Sequence, residues 1–269
     1  MGVSLNQICV VIATYNFFEM TRKCVELVNG NAGIGVDILV VDDGSSAKYI
    51  DPTINVIRIE KNSGATNAVN QGILWCGDRY KYIMLMDNDI IPEPDFIKHL
   101  YEHMESDAVT GIASSILYKR IDNKIHYGLF SMDLIDGTQA VVYECSDDLA
   151  VMYCDWLPLA CCLVRTKMIR YIGILDRRFL HYCTDSDYCI RANLDRWNVA
   201  VIPKSRVEHL HQTTMRQVKP DTIRDQQFFI DKLAGNKLNE IFGRLPFYWG
   251  KNIWGRLVLE NYAKELPNE

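Results

Sequence analysis

Seven consecutive residues, Ile8-Cys9-Val10-Val11-Ile12-Ala13-Thr14, carry no charge and a single polar side chain, at the far end. An apolar run this short and this unbroken reads as a strand buried on both faces. Such strands belong to parallel sheets covered by helices on both sides. The next segments keep to that plan. Met20, Cys24, Leu27 and Val28 fall on one face of a helix over 19–29, which Gly30 and Gly33 stop. Strands are predicted at 37–41, 55–60 and 82–86, and a helix at 67–76. Pro92 and Pro94 predict a further helix running to about residue 105, because proline suits a first helical turn. The alternation predicts an α/β fold with right-handed crossovers, and in such sheets ligands sit at the carboxyl ends of the strands. Polar clusters fall at three of those ends: Thr14-Tyr15-Asn16, Asp42-Asp43-Gly44-Ser45 and Asp87-Asn88-Asp89.

After Ser114 the rhythm changes. Residues 124–131 and 139–143 read as antiparallel strands joined through Asp136-Gly137, 156–165 as an apolar segment and 185–196 as a helix. Residues 199–202 read as a short strand ended by Pro203, and two helices are expected beyond about Thr222.

Composition excludes some classes. The 269 residues carry a formal net charge of -5, which does not favour general nucleic-acid binding through counterion release. No apolar run nears the roughly 18 residues of a membrane span, and residues 1–7 lack a signal peptide's basic and apolar regions. The nine cysteines lie mostly in apolar segments without paired Cys-x-x-Cys knuckles, so a cytoplasmic, reducing setting is expected rather than a zinc site.

Asp87 and Asp89, one residue apart after an apolar strand, can together hold a hard cation such as Mn²⁺ or Mg²⁺, which takes oxygen ligands and shares them with substrate phosphates. A plain turn is the competing reading. Asp42 can accept from the imide N–H of a uracil or thymine, or cap the next helix. Asp185 and Asp187 open a helix, where acidic residues suit the dipole, and either could deprotonate an acceptor hydroxyl. His209 and His211 share one face of an extended segment, so either could complete the metal site.

These pieces in this order resemble the family 2 glycosyltransferases of GT-A fold, over residues 8 to about 211. Val10 to Asn16 is similar to the opening strand whose end cradles the nucleoside, and Val40 to Ser46 to the base-binding aspartate motif. Asn62 to Gly72 resembles the segment beneath the donor, and Met86-Asp87-Asn88-Asp89 the Asp-x-Asp motif. Asp155-Trp156 through Arg165 looks like the acceptor floor. Gly173, Asp176, Phe179, Asp185-Ser186-Asp187 and Arg191 follow the family's pattern around its base, and Pro203, Ser205, Val207 and His209 its closing strand.

The resemblance implies a mixed sheet flanked by helices: a GT-A domain over 1–214 (nucleotide half about 1–115, acceptor half about 116–214) and a helical C-terminal extension over 215–269. It implies an inverting transfer from a UDP- or dTDP-sugar to a glycan, lipid-linked, protein or other acceptor. Asp185 would be the base. Asp87, Asp89 and His209, favoured over His211, would hold the metal. Ala13, Thr14, Tyr15, Asp42, Asn67, Asn70, Asp87 and Asn88 would contact the donor, and Trp156 and Asp187 the acceptor. Thr184 stands where the family usually has glutamate, and Val69 where many members have arginine, which points to the rhamnosyltransferase-like branch. An inactive sugar-binding scaffold and a nucleotidyltransferase are the alternatives; the latter lacks its basic glycine-rich loop at residues 15–19. The aromatic and basic tail, 243–256, suggests core docking, a membrane's inner face, or a homodimer contact.

Overall fold

A computed structural model of the protein describes residues 6–121, 124–128, 130–132, 139–141, 150–154, 156–180, 182–210 and 222–235. The expected run of strands and helices is present in its first half: β1 (Ile8–Thr14), α1 (Phe18–Asn31), β2 (Asp37–Asp43), β3 (Asn55–Ile59), α2 (Ala65–Cys76) and β4 (Tyr82–Met86). β3, β2, β1 and β4 lie side by side and parallel, with Thr14 opposite Asp42 and Ile12 opposite Met86. Alternate residues of β1 serve two cores. Ile8, Val10 and Ile12 join the layer under α1 and α3 (Phe96–Ser106), whereas Cys9 and Val11 join the layer under α2. This is why the run needs to be apolar at every position.

The α2 layer is packed to backbone contact. Gly72 sits so near β1 that a Cβ would collide with the Val11 side chain. Gly72→Ala is therefore expected to cost about 1–3 kcal/mol of stability, an overpacking penalty measurable by urea denaturation.

Beyond β4 the sheet stops being purely parallel. Its order is β10-β12-β6-β11-β4-β1-β2-β3, with β6 at Thr110–Ile121, β10 at Met152–Tyr153, β11 at Cys161–Arg165 and β12 at Asn198–His209. β11 runs antiparallel to both β4 and β6, and β12 runs parallel to β6. One reversed strand thus leaves β4 and β12 pointing the same way, with their carboxyl ends at the same edge. β5 (Ile90–Pro92), immediately after β4, folds across that edge and pairs antiparallel with the end of β12, placing His209 opposite Ile90. α4 (Thr166–Ile172) and α5 (Thr184–Leu194) contribute Met168, Ile169, Tyr188, Cys189 and Ala192 to the α2 layer.

Four sequence expectations need correction. Pro92 does not open a helix. It ends the edge strand β5, where its missing N–H is tolerated, and α3 begins only at Phe96, after Asp95 in a left-handed conformation (φ 62°). Pro203 does not end its strand either: the pairing register with β6 shifts between Ile202 and Arg206, so Pro203 sits in a bulge and β12 continues to His209. The 124–131 segment is two strands. β7 (Lys124–Gly128) folds back on β6, and β8 (Phe130–Met132) pairs with β9 (Gln139–Val141). Finally, the sheet is mixed, as the family resemblance implied and the simple alternation did not. Thr110–Ile121 was not foreseen as a strand. Its buried Ser114 and Ser115 break the apolar pattern and find partners in the Cys161 carbonyl (3.3 Å) and the Ser205 hydroxyl (2.7 Å). The Asp136-Gly137 turn, Asp155, His211, the second C-terminal helix and the tail 243–256 lie outside the described residues. No helix among the described residues is long and apolar enough to cross a membrane.

Candidate active site

At the common edge of β4 and β12, His209 Nε2 lies 3.1 Å from an Asp89 oxygen and 3.6 Å from an Asp87 oxygen. The three potential ligand atoms all fall within 4.8 Å of one another. Two carboxylates and one imidazole nitrogen, gathered on one side, fit a hard divalent ion and leave coordination positions for a substrate's oxygens. The fit has a backbone cause. Asp87 N–H donates to the Ala160 carbonyl (2.8 Å) and Leu210 N–H to the Asp89 carbonyl (3.1 Å), so neighbouring strands fix both ends of the Asp-x-Asp segment. Burial opposes protonation of His209, but Asp89 and Asp87 outweigh it and raise its pKa.

The middle residue faces away from this cluster. Asn88 Nδ2 donates to the Thr21 hydroxyl (3.0 Å), itself 2.7 Å from the Thr14 hydroxyl, so Asn88 and Thr14 tie the Asp87–Asp89 loop to α1. Tyr15 and Ala13 flank Thr14 at the carboxyl end of β1. Asn16, at φ 63°, bridges to the β2 loop, donating its N–H to Ser45 Oγ (2.9 Å) and accepting from Ser46 N–H (2.8 Å).

Asp42 is fully buried. Its oxygens accept from the N–H groups of Ser45 (3.0 Å) and Tyr49 (3.1 Å) and from Arg58 Nη1 (2.5 Å). Burial pushes its pKa up, yet these donors hold it below the ordinary carboxylate value. Asp43 anchors the start of α2 through the Ser63 and Gly64 N–H groups (2.9 and 3.0 Å). Asn67, on α2, is half-buried at the same end of the sheet. Asn70, by contrast, is buried and spends its amide on both backbone groups of Leu175 (2.9 and 3.0 Å).

Asp185 sits in the first turn of α5, its Oδ1 accepting from Ser186 N–H at 2.8 Å. Burial pushes its pKa up to about 6, against the lowering influence of Ser186 and the Trp156 indole N–H. That indole nitrogen is itself buried and has no hydrogen-bond partner within 3.5 Å. Desolvation raises the Asp87 pKa although 56% of its side chain stays open to water, and the charges of Asp89 and Asp185 add to the rise, so Asp185 shares an electrostatic neighbourhood with the Asp87, Asp89 and His209 cluster. Asp187 faces the other way, paired with Arg191 (2.9 Å) and Lys232 (2.5 Å). The structure thus gathers Asp87, Asp89 and His209, with Asp185 near enough for its charge to be felt at Asp87, and it commits the side chains of Asn70, Asn88 and Asp187 to the surrounding protein.

Residues 9–141 match the family model Glycosyl transferase family 2. Over these residues the chain is similar to the family 2 glycosyltransferases. It is 28% identical over 136 residues to glycosyltransferase GlyG of Streptococcus pneumoniae, covering 47% of this chain and 44% of GlyG. It is 28% identical over 103 residues to the succinoglycan biosynthesis protein ExoO of Rhizobium meliloti, covering 36% of this chain and 29% of ExoO. It therefore spans less than half the length of either relative. A crystal structure of GalNAc-T7 with UDP, GalNAc and Mn²⁺ superposes with a TM-score of 0.64 over 78% of this chain and 45% of that one, at 12% identity, a likeness of fold.

Several residues that shape this site carry no motif signal in the sequence. Arg58 stands directly opposite Asp42 in the β2–β3 register, a pairing that strand alignment alone could have exposed. Thr21, buried in α1, carried no motif signal.

Proposed function

We propose that the protein is an inverting glycosyltransferase that moves a sugar from a nucleotide diphosphate donor to an acceptor hydroxyl. The observation that carries this reading is the convergence of Asp87, Asp89 and His209 at the carboxyl edge of the sheet, with Asp185 electrically coupled to them. The fold-level neighbour crystallised with UDP and Mn²⁺ supports a donor of the same class.

In this reading Asp87, Asp89 and His209 would hold a divalent ion, Mn²⁺ or Mg²⁺, and the chemistry it would supply is neutralisation of charge on the departing nucleotide diphosphate. The rest is the chain's own work. The carboxyl ends of β1 and β2, with Ala13, Thr14, Tyr15 and Asn67, form the wall for the nucleoside. Asp42 acts beside them, its carboxylate held ionised by Arg58 and two backbone donors. On this reading the loop over Asp42 opens to let one of the carboxylate's lone pairs meet the imide N–H of a uracil or thymine, which favours UDP or dTDP donors. Asn70, Asn88 and Asp187 serve by fixing loops. Trp156 lies beside Asp185 under the acceptor. Asp185 takes the acceptor's proton as the hydroxyl attacks the anomeric carbon. The donor's glycosidic C–O bond breaks, its electron pair leaves with the diphosphate, and configuration inverts in one displacement without a covalent enzyme intermediate. A base at about 6 is ionised at neutral pH while still able to accept a proton. We further assign residues 1–214 to the transferase unit and 215–269 to an extension, and place the chain in the rhamnosyltransferase-like branch.

A panel of UDP-, dTDP- and GDP-sugars, each with and without Mn²⁺ or Mg²⁺, tests the reading by thermal shift. Metal-dependent stabilisation confined to one nucleotide class is the expected result. A protein that no nucleotide sugar stabilises under any metal condition is not a transferase of this kind.

A further inference from the structure

Asp185 is carried by a segment that grips a helix far away in sequence. α6 (Thr222–Gly235) follows the metal-site strand and lies, like Asp185, outside the matched residues 9–141. It holds the 176–187 segment at three places. The buried Asp225 accepts from the backbone N–H groups of Leu180 (3.1 Å) and Tyr182 (2.9 Å), the last such contacts before the base. Phe228 and Phe229 meet Phe179 edge-on, with ring centroids 4.8 and 6.3 Å away. Lys232 Nζ sits between Asp176 (2.8 Å) and Asp187 (2.5 Å), one carboxylate on either side of Asp185 in the chain. The segment needs such support. Cys183 adopts a left-handed conformation (φ 59°) just before α5, a strained arrangement for a residue with a Cβ.

We propose that α6 belongs to the catalytic apparatus, with Asp225 and Lys232 as positioning residues that set where Asp185 stands. This rests on Asp185 being the base. The grip is polar on both sides of its aromatic middle, which is unusual for a helix that only covers a core. Asp225 offers a carboxylate to backbone amides, a charge-assisted bond about twice as strong as a neutral one. Lys232 is only 18% exposed and bridges two side chains that are each already paired with an arginine, Asp176 with Arg178 and Asp187 with Arg191. Losing Lys232 therefore leaves neither carboxylate without a cation, and the fold survives. What it releases is the link between α6 and the two flanks of the base. Geometry of this kind governs rate rather than donor affinity, since the metal and nucleoside groups lie on other elements.

The test uses the full chain, with Lys232→Met, Lys232→Arg and Asp225→Asn alongside wild type, on whichever of the UDP-, dTDP- and GDP-sugars wild type turns over fastest with Mn²⁺. Lys232→Met should lower kcat by roughly 10–100-fold, the scale of a misplaced catalytic group, with KM for the donor unchanged. Lys232→Arg should restore most of the rate. Asp225→Asn should lower kcat likewise and speed hydrogen exchange at the Leu180 and Tyr182 amides. Unchanged kcat in folded Lys232→Met and Asp225→Asn overturns the positioning role and leaves the transferase reading intact. Equal losses in kcat and donor affinity, unrelieved by arginine, mean that α6 is scaffolding only. A wild type that turns over no donor overturns the transferase reading and this one with it.

Discussion

Asp185→Asn is expected to lower kcat by about 10²–10⁴-fold, the usual contribution of a general base, while leaving metal-dependent donor binding in place. Asparagine keeps the shape and can still accept from Ser186 N–H; it cannot take a proton. The same change carries a stability signature of opposite sign. The folded-state pKa of Asp185 lies near 6, above the 3.8 of an unperturbed carboxyl. The native state therefore binds this proton more tightly than the unfolded chain, and wild-type stability declines as pH rises from about 4 to 6 through this group. Above that window the penalty is constant. Asparagine removes it, so the variant should melt higher than wild type at pH 8 and at nearly the same temperature at pH 3.5. Gaining stability while losing rate is the mark of a functional carboxylate held in an unfavourable place. A variant that loses both has lost packing, and the base would have to be sought elsewhere. In wild type the rate should fall as pH drops below about 6.

Asp89→Ala should abolish donor stabilisation by metal. A ligand present at 100 times its dissociation constant adds about 2.7 kcal/mol to the folded state, and this whole increment should vanish from the melting curve in the variant. Asp89 supplies the shorter of the two carboxylate contacts to His209 and is nearly buried, at 11% exposure, so no water-exposed neighbour can replace it. The cluster also predicts a pH effect distinct from that of the base. Metal and protons compete for Asp87 and His209, so apparent metal affinity should weaken as pH falls. Raising the metal concentration should move that limb to lower pH while leaving the Asp185 limb near 6. Two limbs that move together would indicate a single coupled titration.

How far the sequence disclosed this molecule follows from which patterns are local. β1 and β4 were legible to the residue because each is apolar throughout and ends in a polar cluster. β6 was not, since its two buried serines are satisfied by strands about 50 and 90 residues away, and nothing near them announces that. Prolines misled twice for one reason: an edge strand and a bulge each excuse a missing N–H, and only the partner strand reveals them. Of the candidate site, Asp87, Asp89 and Asp185 could be picked out by motif, and His209 could be set beside His211 but not separated from it by spacing. What motif reading could not supply was orientation. Asn88 lies between the two metal-site aspartates and points to α1, and Asp187 lies two residues from Asp185 and points to Lys232.

The late strand β12 has a kinetic consequence. Asp89 and His209 meet only through the β5–β12 pairing, across 120 residues of chain. Loop closure on that scale is entropically costly and belongs late in folding. The parallel strands β1 to β4, the proposed nucleoside wall, draw on neighbours in sequence and can form early. A nascent chain that has exposed only its first hundred residues thus holds the makings of a nucleotide cleft with no means of closing the metal cluster. The cluster of Asp87, Asp89 and His209 closes only when β12 docks, and the grip of α6 on the Asp185 segment comes from chain later still.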